Sequence, residues 1–287
     1  MASSVTTLQT ARVPEHSFLG ELRAIKVVWE REIVRFASDR LRMVTSLVQP
    51  LLFLFVLGTG LSQLASGSTP GTSFRTFLYP GILAMAVLFT AMFSAASIVW
   101  DREFGFLREM LVAPIRRSSI VLGKCLGGAT VATFQGVLVI LLAGLVDVPY
   151  SVSLIIEVFV LQLLLAYTIT AFGVMIAARI TQIQSFMALT QMLVMPLFFL
   201  SGALFPVRDL PPWLAVLNRL DPITYAVEPI RHAVFGHLSL PPATRARLDP
   251  GITWFGWPVP TLMCAAVIVA IGAAMTLVAI AEFEQRD

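Results

Sequence analysis

Six long stretches of this chain are almost free of charge: residues 43–64, 78–100, 125–146, 154–178, 186–206 and 259–281, with Glu157 the single carboxylate among them. Each has the length of a membrane-crossing helix, which takes about 20 apolar residues. A helix is the form expected, because a lone segment in lipid must satisfy every backbone N–H and C=O from within. Of the 287 residues 57% are hydrophobic and 13% charged, whereas soluble domains are about 25% charged, so a water-soluble fold is excluded. The expected fold is an all-α integral membrane protein, one domain over residues 1–287 with six spans. Pro50 and Pro196 fall inside the first and fifth blocks and predict local kinks.

The connecting segments set the orientation, since Lys and Arg accumulate on the cytoplasmic side of short loops. With the N-terminus inside, fourteen basic residues fall on the cytoplasmic side and six outside, five of those six in the one long segment from Arg208 to Arg247. Both termini are therefore expected in the cytoplasm. Residues 1–42 hold seven basic residues and no apolar core, so no secretory leader is expected and the first span would serve as its own insertion signal.

Several functions lose their basis. A net charge of +3 that is explained by orientation leaves no case for a nucleic-acid partner. Cys125 and Cys264 are expected near opposite faces, too far apart for a disulfide, and His16, His232 and His237 have no ligand grouping around them, so no metal is assigned. The chain has no GxxxxGK[ST], and Gly123-Lys124-Cys125 lacks both the phosphate cradle and the hydroxyl ligand for magnesium. GxSxG and HExxH are absent too, so no catalytic residue and no bound cofactor are expected. No internal repeat supports a carrier built from two similar halves.

Three segments remain as candidates for mechanism. Over residues 16–42, Phe18, Leu22, Ile25, Trp29, Ile33 and Phe36 recur at helical spacing, with Glu21, Lys26, Glu30, Arg31 and Arg35 between them. That is the pattern of a helix lying in the membrane interface, with Trp29, Glu30, Arg31 and Arg35 as its marker residues. Between the second and third blocks runs DREFGFLREMLVAPIRRSSIVLGK, residues 101–124, with eight charged residues. Phe104, Leu107 and Leu111 suggest a short amphipathic helix over 101–114, ended by Pro114. Such a helix can dock on a soluble partner, or be a solvated loop that anchors two spans. From Pro206 to Leu240 the chain is too polar for another span, and Pro211, Pro212, Pro222 and Pro229 divide it into short pieces suited to dipping into the outer interface or capping the spans. Gln49, Gln135, Gln162 and Gln191 could line a path or bond between helices, and Glu157 lies near the outer surface.

The run at 101–124 resembles the charged cytoplasmic motif of type-2 ABC exporter permeases, the ABC-2 family, particularly the daunorubicin-resistance-type transmembrane subunits. Glu103, Gly105, Leu107, Glu109, Leu111, Ala113 and Pro114 carry the likeness. Residues 196–236 are similar to that family's fifth span and the external re-entrant segment after it, and the order of parts agrees along nearly the whole chain. The resemblance implies a coupling helix at 101–114, with Asp101, Arg102, Glu103, Gly105, Leu107, Arg108, Glu109, Leu111, Ala113 and Pro114 facing an ATPase. It implies an external re-entrant gate over 207–240, bounded by Pro206 and marked by Trp213, Pro222, Tyr225 and Arg231, and a path touching Gln49, Phe198 and Phe199. It further implies a non-catalytic permease of a bacterial plasma membrane, working as a homodimer with two copies of a separate ATPase that binds ATP and Mg. The expected cargo is an amphiphilic drug or lipid-like compound moved outward, the alternatives being a polysaccharide or lipid-linked glycan, or an ATP-independent channel or carrier.

Overall fold

Six helices long and apolar enough to cross a membrane dominate the computed structural model, which describes residues 18–60, 73–112, 115–207, 210–254 and 257–286. His16, residues 61–64, Ala113 and Pro114 lie outside the described residues. Helix α1 (Phe18–Ser38) precedes the first span, α2 (Arg40–Gly60). The other spans are α3 (Phe74–Glu103), α5 (Arg117–Ile140), α6 (Val152–Arg179), α7 (Ile183–Leu200) and α11 (Thr261–Arg286). Short α4 (Phe106–Val112) joins α3 to α5. Each of the six apolar blocks has become a helix.

The boundaries differ from the apolar blocks where charge is neutralised locally. The third block, expected at 125–146, begins as a helix at Arg117 and ends at Ile140. Lys124, expected in the connecting segment just before the third span, therefore lies inside a span and is 3% exposed. Its tolerance comes from two buried carboxylates described below. At the other end a 3-10 turn, Ala143–Val146, and left-handed Asp147 (φ 59°) stop the helix early. The second span runs to Glu103 rather than residue 100, so Asp101, Arg102 and Glu103 form its last turn instead of opening the coupling helix.

α3 is buried along nearly its whole length, from Thr76 to Asp101, and packs on α5, α6 and α7. α6 packs on α11, and α1 on α5. α2 sits at the edge: Val44, Val48, Leu52 and Val56 form an exposed stripe at four-residue spacing. Pro50 lies within it and is followed by a π-helical turn at Phe53–Leu57. A proline deletes one ladder donor and pushes away the carbonyl four residues back, and a widened turn absorbs the mismatch.

The segment after α7 holds α8 (Pro212–Leu220), α9 (Thr224–Gly236), α10 (Pro242–Leu248) and a two-stranded antiparallel hairpin, β1 (Thr253–Trp254) and β2 (Trp257–Pro258). Pro212 and Pro242 occupy first-turn positions, where a missing N–H costs nothing. Pro229, expected to divide this segment, instead sits inside α9. That helix is buried against α3, α6 and α11, so tertiary packing rather than propensity carries it through the proline.

Candidate coupling site at the charged end

The bundle end that carries α4 gathers most of the charged side chains, and its geometry begins with two glycines. Gly123 and Gly127, one turn apart on α5, let α1 approach closely: a Cβ on Gly123 would stand 2.7 Å from Val28 Cβ, and one on Gly127 2.6 Å from Glu32 Cβ. This is the small-xxx-small device by which membrane helices meet. Trp29 fixes the register by donating its indole N–H to Thr130 Oγ1 at 3.0 Å.

Close approach places Glu32 of α1 beside Lys124. Lys124 Nζ donates to Glu32 Oε1 at 2.6 Å, to Ser97 Oγ at 3.1 Å and to Asp101 Oδ2. Glu32, Asp101 and Lys124 are all at least 96% buried. Asp101 Oδ1 takes a second ion pair from Arg31 at 2.9 Å, with Arg35 at 3.6 Å. Two buried carboxylates thus surround one buried ammonium, and two partly exposed guanidinium groups more than offset the remaining negative charge. Charges with so little access to water persist only when paired and hydrogen-bonded.

The same arginines reach the linker to α4. Arg31 lies over the Phe106 ring, 5.9 Å from its centroid, and touches Met110 Sδ at 3.3 Å; Arg35 lies over Trp100 at 4.8 Å. Glu30, by contrast, forms an exposed 3.4 Å pair with Lys26. The line of α1 that meets protein is Val28, Glu32 and Phe36, while Phe18, Leu22 and Val34 are exposed. The apolar stripe read from the sequence is therefore rotated from the packed face, because electrostatic partners on α3 and α5 set the helix orientation. Glu21, expected on the solvated face, accepts from Ser119 Oγ at 2.5 Å and from the Arg116 backbone N–H at 3.1 Å, capping the start of α5.

Three consecutive residues at the end of α3 bind four neighbouring helices. Asp101 holds α1 and α5. Arg102 donates to the Ala177 and Ile180 carbonyls, at 3.0 and 2.7 Å, where α6 ends. Glu103 accepts the Ile183 N–H at 2.9 Å, where α7 begins. Helix ends leave unpaired carbonyls and amides, and here one span caps two others. Arg117 likewise donates to the Phe283 and Glu284 carbonyls at 3.1 and 3.0 Å, and Arg179 pairs with Glu282, tying α11 to this end.

Gly105 follows with φ 84°, a left-handed conformation that turns the chain sharply into α4. On α4, Leu107 is 2% exposed and anchors the helix, whereas Arg108 and Glu109 are exposed; Phe104 (71% exposed) and Val112 (86% exposed) stand out as apolar groups facing away from the protein. Leu111 is partly buried. An exposed charged and apolar face thus sits directly on a buried charge network.

A family model described as "ABC-2 type transporter" matches residues 23–235, from within α1 to the end of α9. The chain belongs to the ABC-2 type transporter family. Among relatives of this ABC-2 chain, the ycf38 protein of Cyanophora paradoxa is 32% identical over 223 residues, 76% of each chain. Nodulation protein J of Rhizobium leguminosarum bv. trifolii is 28% identical, covering 73% of this chain and 80% of its own. The inner membrane transport permease YadH of Escherichia coli K12 is 27% identical, covering 77% and 86%.

At the opposite end of this ABC-2 bundle the expected gate residues separate by environment. Trp213 is 65% exposed, while Pro206 and Pro222 are partly buried at bends. Tyr225 and Arg231 are buried. Tyr225 Oη donates to the Arg219 carbonyl at 2.8 Å and accepts from Trp254 Nε1 at 3.2 Å. Arg231 pairs with Glu228, donates to the Gly202 carbonyl at 2.6 Å and covers the Phe77 ring at 4.8 Å, so it fastens α9 to α3. Asn218 links α8 to the end of α7 through the Leu200 carbonyl at 2.5 Å. Phe198 is buried against Phe53 and Phe199, Phe199 is half-exposed, and Gln49 borders a cavity beside α3. Gln135 and Gln162 are wholly buried and their amides have no hydrogen-bond partner.

Sequence reading passed over Glu32, Ser97 and Lys124. A signal existed: Glu32 falls four residues from both Val28 and Phe36, on what proves to be the packed line.

Proposed function

We propose that this chain is the membrane permease of an ATP-driven exporter, oriented with the α4 end in the cytoplasm and both termini on that side. A separate ABC ATPase would dock on α4, two copies of each subunit forming the working unit, with ATP and Mg held by the ATPase. One observation carries the reading: the exposed face of α4 adjoins the Asp101-Arg102-Glu103 turn, whose side chains bind α1, α5, α6 and α7. A push on α4 is passed to five helices through short charged bonds rather than through one flexible loop. Closure of the ATPase pair would thereby bias the bundle between two packed arrangements. The exposed stripe on α2 supports pairing with a second copy, and α8 and α9, capping the far end, are the parts suited to gating release. An apolar bundle of this kind suits an amphiphilic, drug-like or lipid-like cargo.

The test is affinity purification of the full chain from its own host in mild detergent. An ABC ATPase co-eluting with the wild type, and lost with Arg108→Glu, is the expected result. Arg108 is exposed, so the substitution should leave stability within about 0.5 kcal/mol. Wild-type protein that never retains an ATPase would overturn the reading.

A further inference from the structure

A cavity of about 310 Å³ opens between α1, α2 and α3 on the side of the charged end, a volume at the lower bound of small-molecule sites. Arg42 and Gln49 bring hydrogen-bond donors to its lining, Thr90 lies beside them, and Phe89 and Phe93 of α3 give it an aromatic wall. Arg42 stands in the first turn of α2. Gln49 lies seven residues on, about 10 Å deeper along the axis. The cavity thus changes from cationic at its outer limit to apolar within.

The donors are unused. Among the described residues none hydrogen-bonds the Arg42 guanidinium: the charges of Asp39 and Glu32 attract it, but Asp39 accepts the Arg42 backbone N–H at 3.0 Å and Glu32 is held by Lys124. Thr90 is 5% exposed and its Oγ1 has no hydrogen-bond partner. A threonine in a membrane helix usually donates to the carbonyl four residues back, as Thr130, Thr170 and Thr276 do here. Thr90 does not; its side chain lines the cavity, but its hydroxyl is closed off in the orientation seen and would meet a ligand there only after rotation about χ1. A buried hydroxyl left unpaired costs free energy that a ligand oxygen would recover. Thr45 and Ser46 donate to their own helix carbonyls and so offer only lone pairs to the cavity.

We infer that this cavity binds an anionic amphiphile from the bilayer leaflet at the charged end, with its oxyanion on Arg42, its ester or ether oxygens on Gln49 and Thr90, and its chain along Phe89 and Phe93. Headgroup hydroxyls would meet Thr45 and Ser46. A neutral or zwitterionic amphiphile leaves Arg42 less well paired, and a free anion leaves the apolar wall unused. The claim concerns binding and stands apart from export.

The test is calorimetric titration of the purified full chain, without ATPase, in neutral detergent. The probes are short-chain phosphatidylglycerol, the matching phosphatidylcholine and inorganic phosphate. Phosphatidylglycerol should bind, with affinity reduced about tenfold or more by Arg42→Gln, largely kept by Arg42→Lys, and reduced about threefold by the near-isosteric Thr90→Val. Phosphatidylcholine binding as tightly, or an unchanged affinity in Arg42→Gln protein that elutes as the wild type does, would overturn the inference. Inorganic phosphate competing at the same concentrations would overturn the amphiphile assignment. Wild-type protein that binds phosphatidylglycerol in this way but never retains an ATPase would count against the exporter reading and leave the site supported.

Discussion

The Lys124 ammonium lies 2.6 Å from Glu32 Oε1, so a cation within the third span holds the helix that precedes the first. Asp101 shares the same ammonium, and through Arg31 the cluster reaches the α4 linker. The bond is therefore a stability element, and it belongs to a continuous chain of contacts between the α4 linker and the spans.

Lys124→Met should be the most damaging single change in the cluster. It leaves Glu32 and Asp101 buried around an apolar side chain, a loss of about 3–5 kcal/mol for a broken buried pair. Glu32→Gln keeps the Lys124–Asp101 pair and should cost about 1 kcal/mol. Thermal unfolding of the detergent-purified variants checks the order, and equal melting temperatures would contradict it.

Gly127→Val should separate α1 from α5. The first added carbon already meets Glu32 Cβ at 2.6 Å, and the two further methyl groups have no room without displacing the helix. A penalty of about 1–3 kcal/mol is expected from overpacking. Weaker amide protection across residues 25–36 in hydrogen exchange would show that α1 has moved, and unchanged exchange there would show that it has not.

Arg102→Ala removes both donors from the end of α6. The loss should be local, about 1–2 kcal/mol, because the affected groups are carbonyls at a helix terminus. Faster exchange confined to residues 177–183, with global melting little changed, is the expected signature.

The ion pair of His232 with Asp249, at 2.7 Å, should make the segment between α7 and α11 sensitive to pH. The Asp249 carboxylate raises the His232 pKa, first by hydrogen bonding and also through its charge; Glu157 reinforces this, while partial burial and Arg245 oppose it. A raised folded-state value means that the contribution is complete below the unfolded pKa of about 6.5 and fades as pH climbs through the higher folded value. Exchange protection around residues 249–254 should therefore fall between mildly acidic and alkaline pH in the wild type and stay flat in His232→Gln.

The charged segment after the second span shows how far sequence reading carried. DREFGFLREML revealed a charged, partly amphipathic stretch, and the family likeness gave it a role. Its first three residues prove to be the last turn of α3, bonded inward, and the outward face belongs to Phe104, Arg108, Glu109 and Val112. Sequence alone could not divide the two groups, because both are charged and both adjoin a span.

By itself the sequence determined six spanning helices and a charged segment after the second, because lipid imposes length and apolarity on each helix separately. What only the tertiary structure decided was which charges are paired. Glu32, Asp101 and Lys124 lie on three helices far apart in the chain, and no local pattern signals their meeting. Two glycines bring α1 against α5, and burial then obliges the three charges to pair, with Arg31 offsetting the second carboxylate. Arg42, with the same kind of side chain two turns past Arg35, borders a cavity without a close ion pair among the described residues because the nearby carboxylates, Asp39 and Glu32, are already engaged, a distinction that exists only once the helices are side by side.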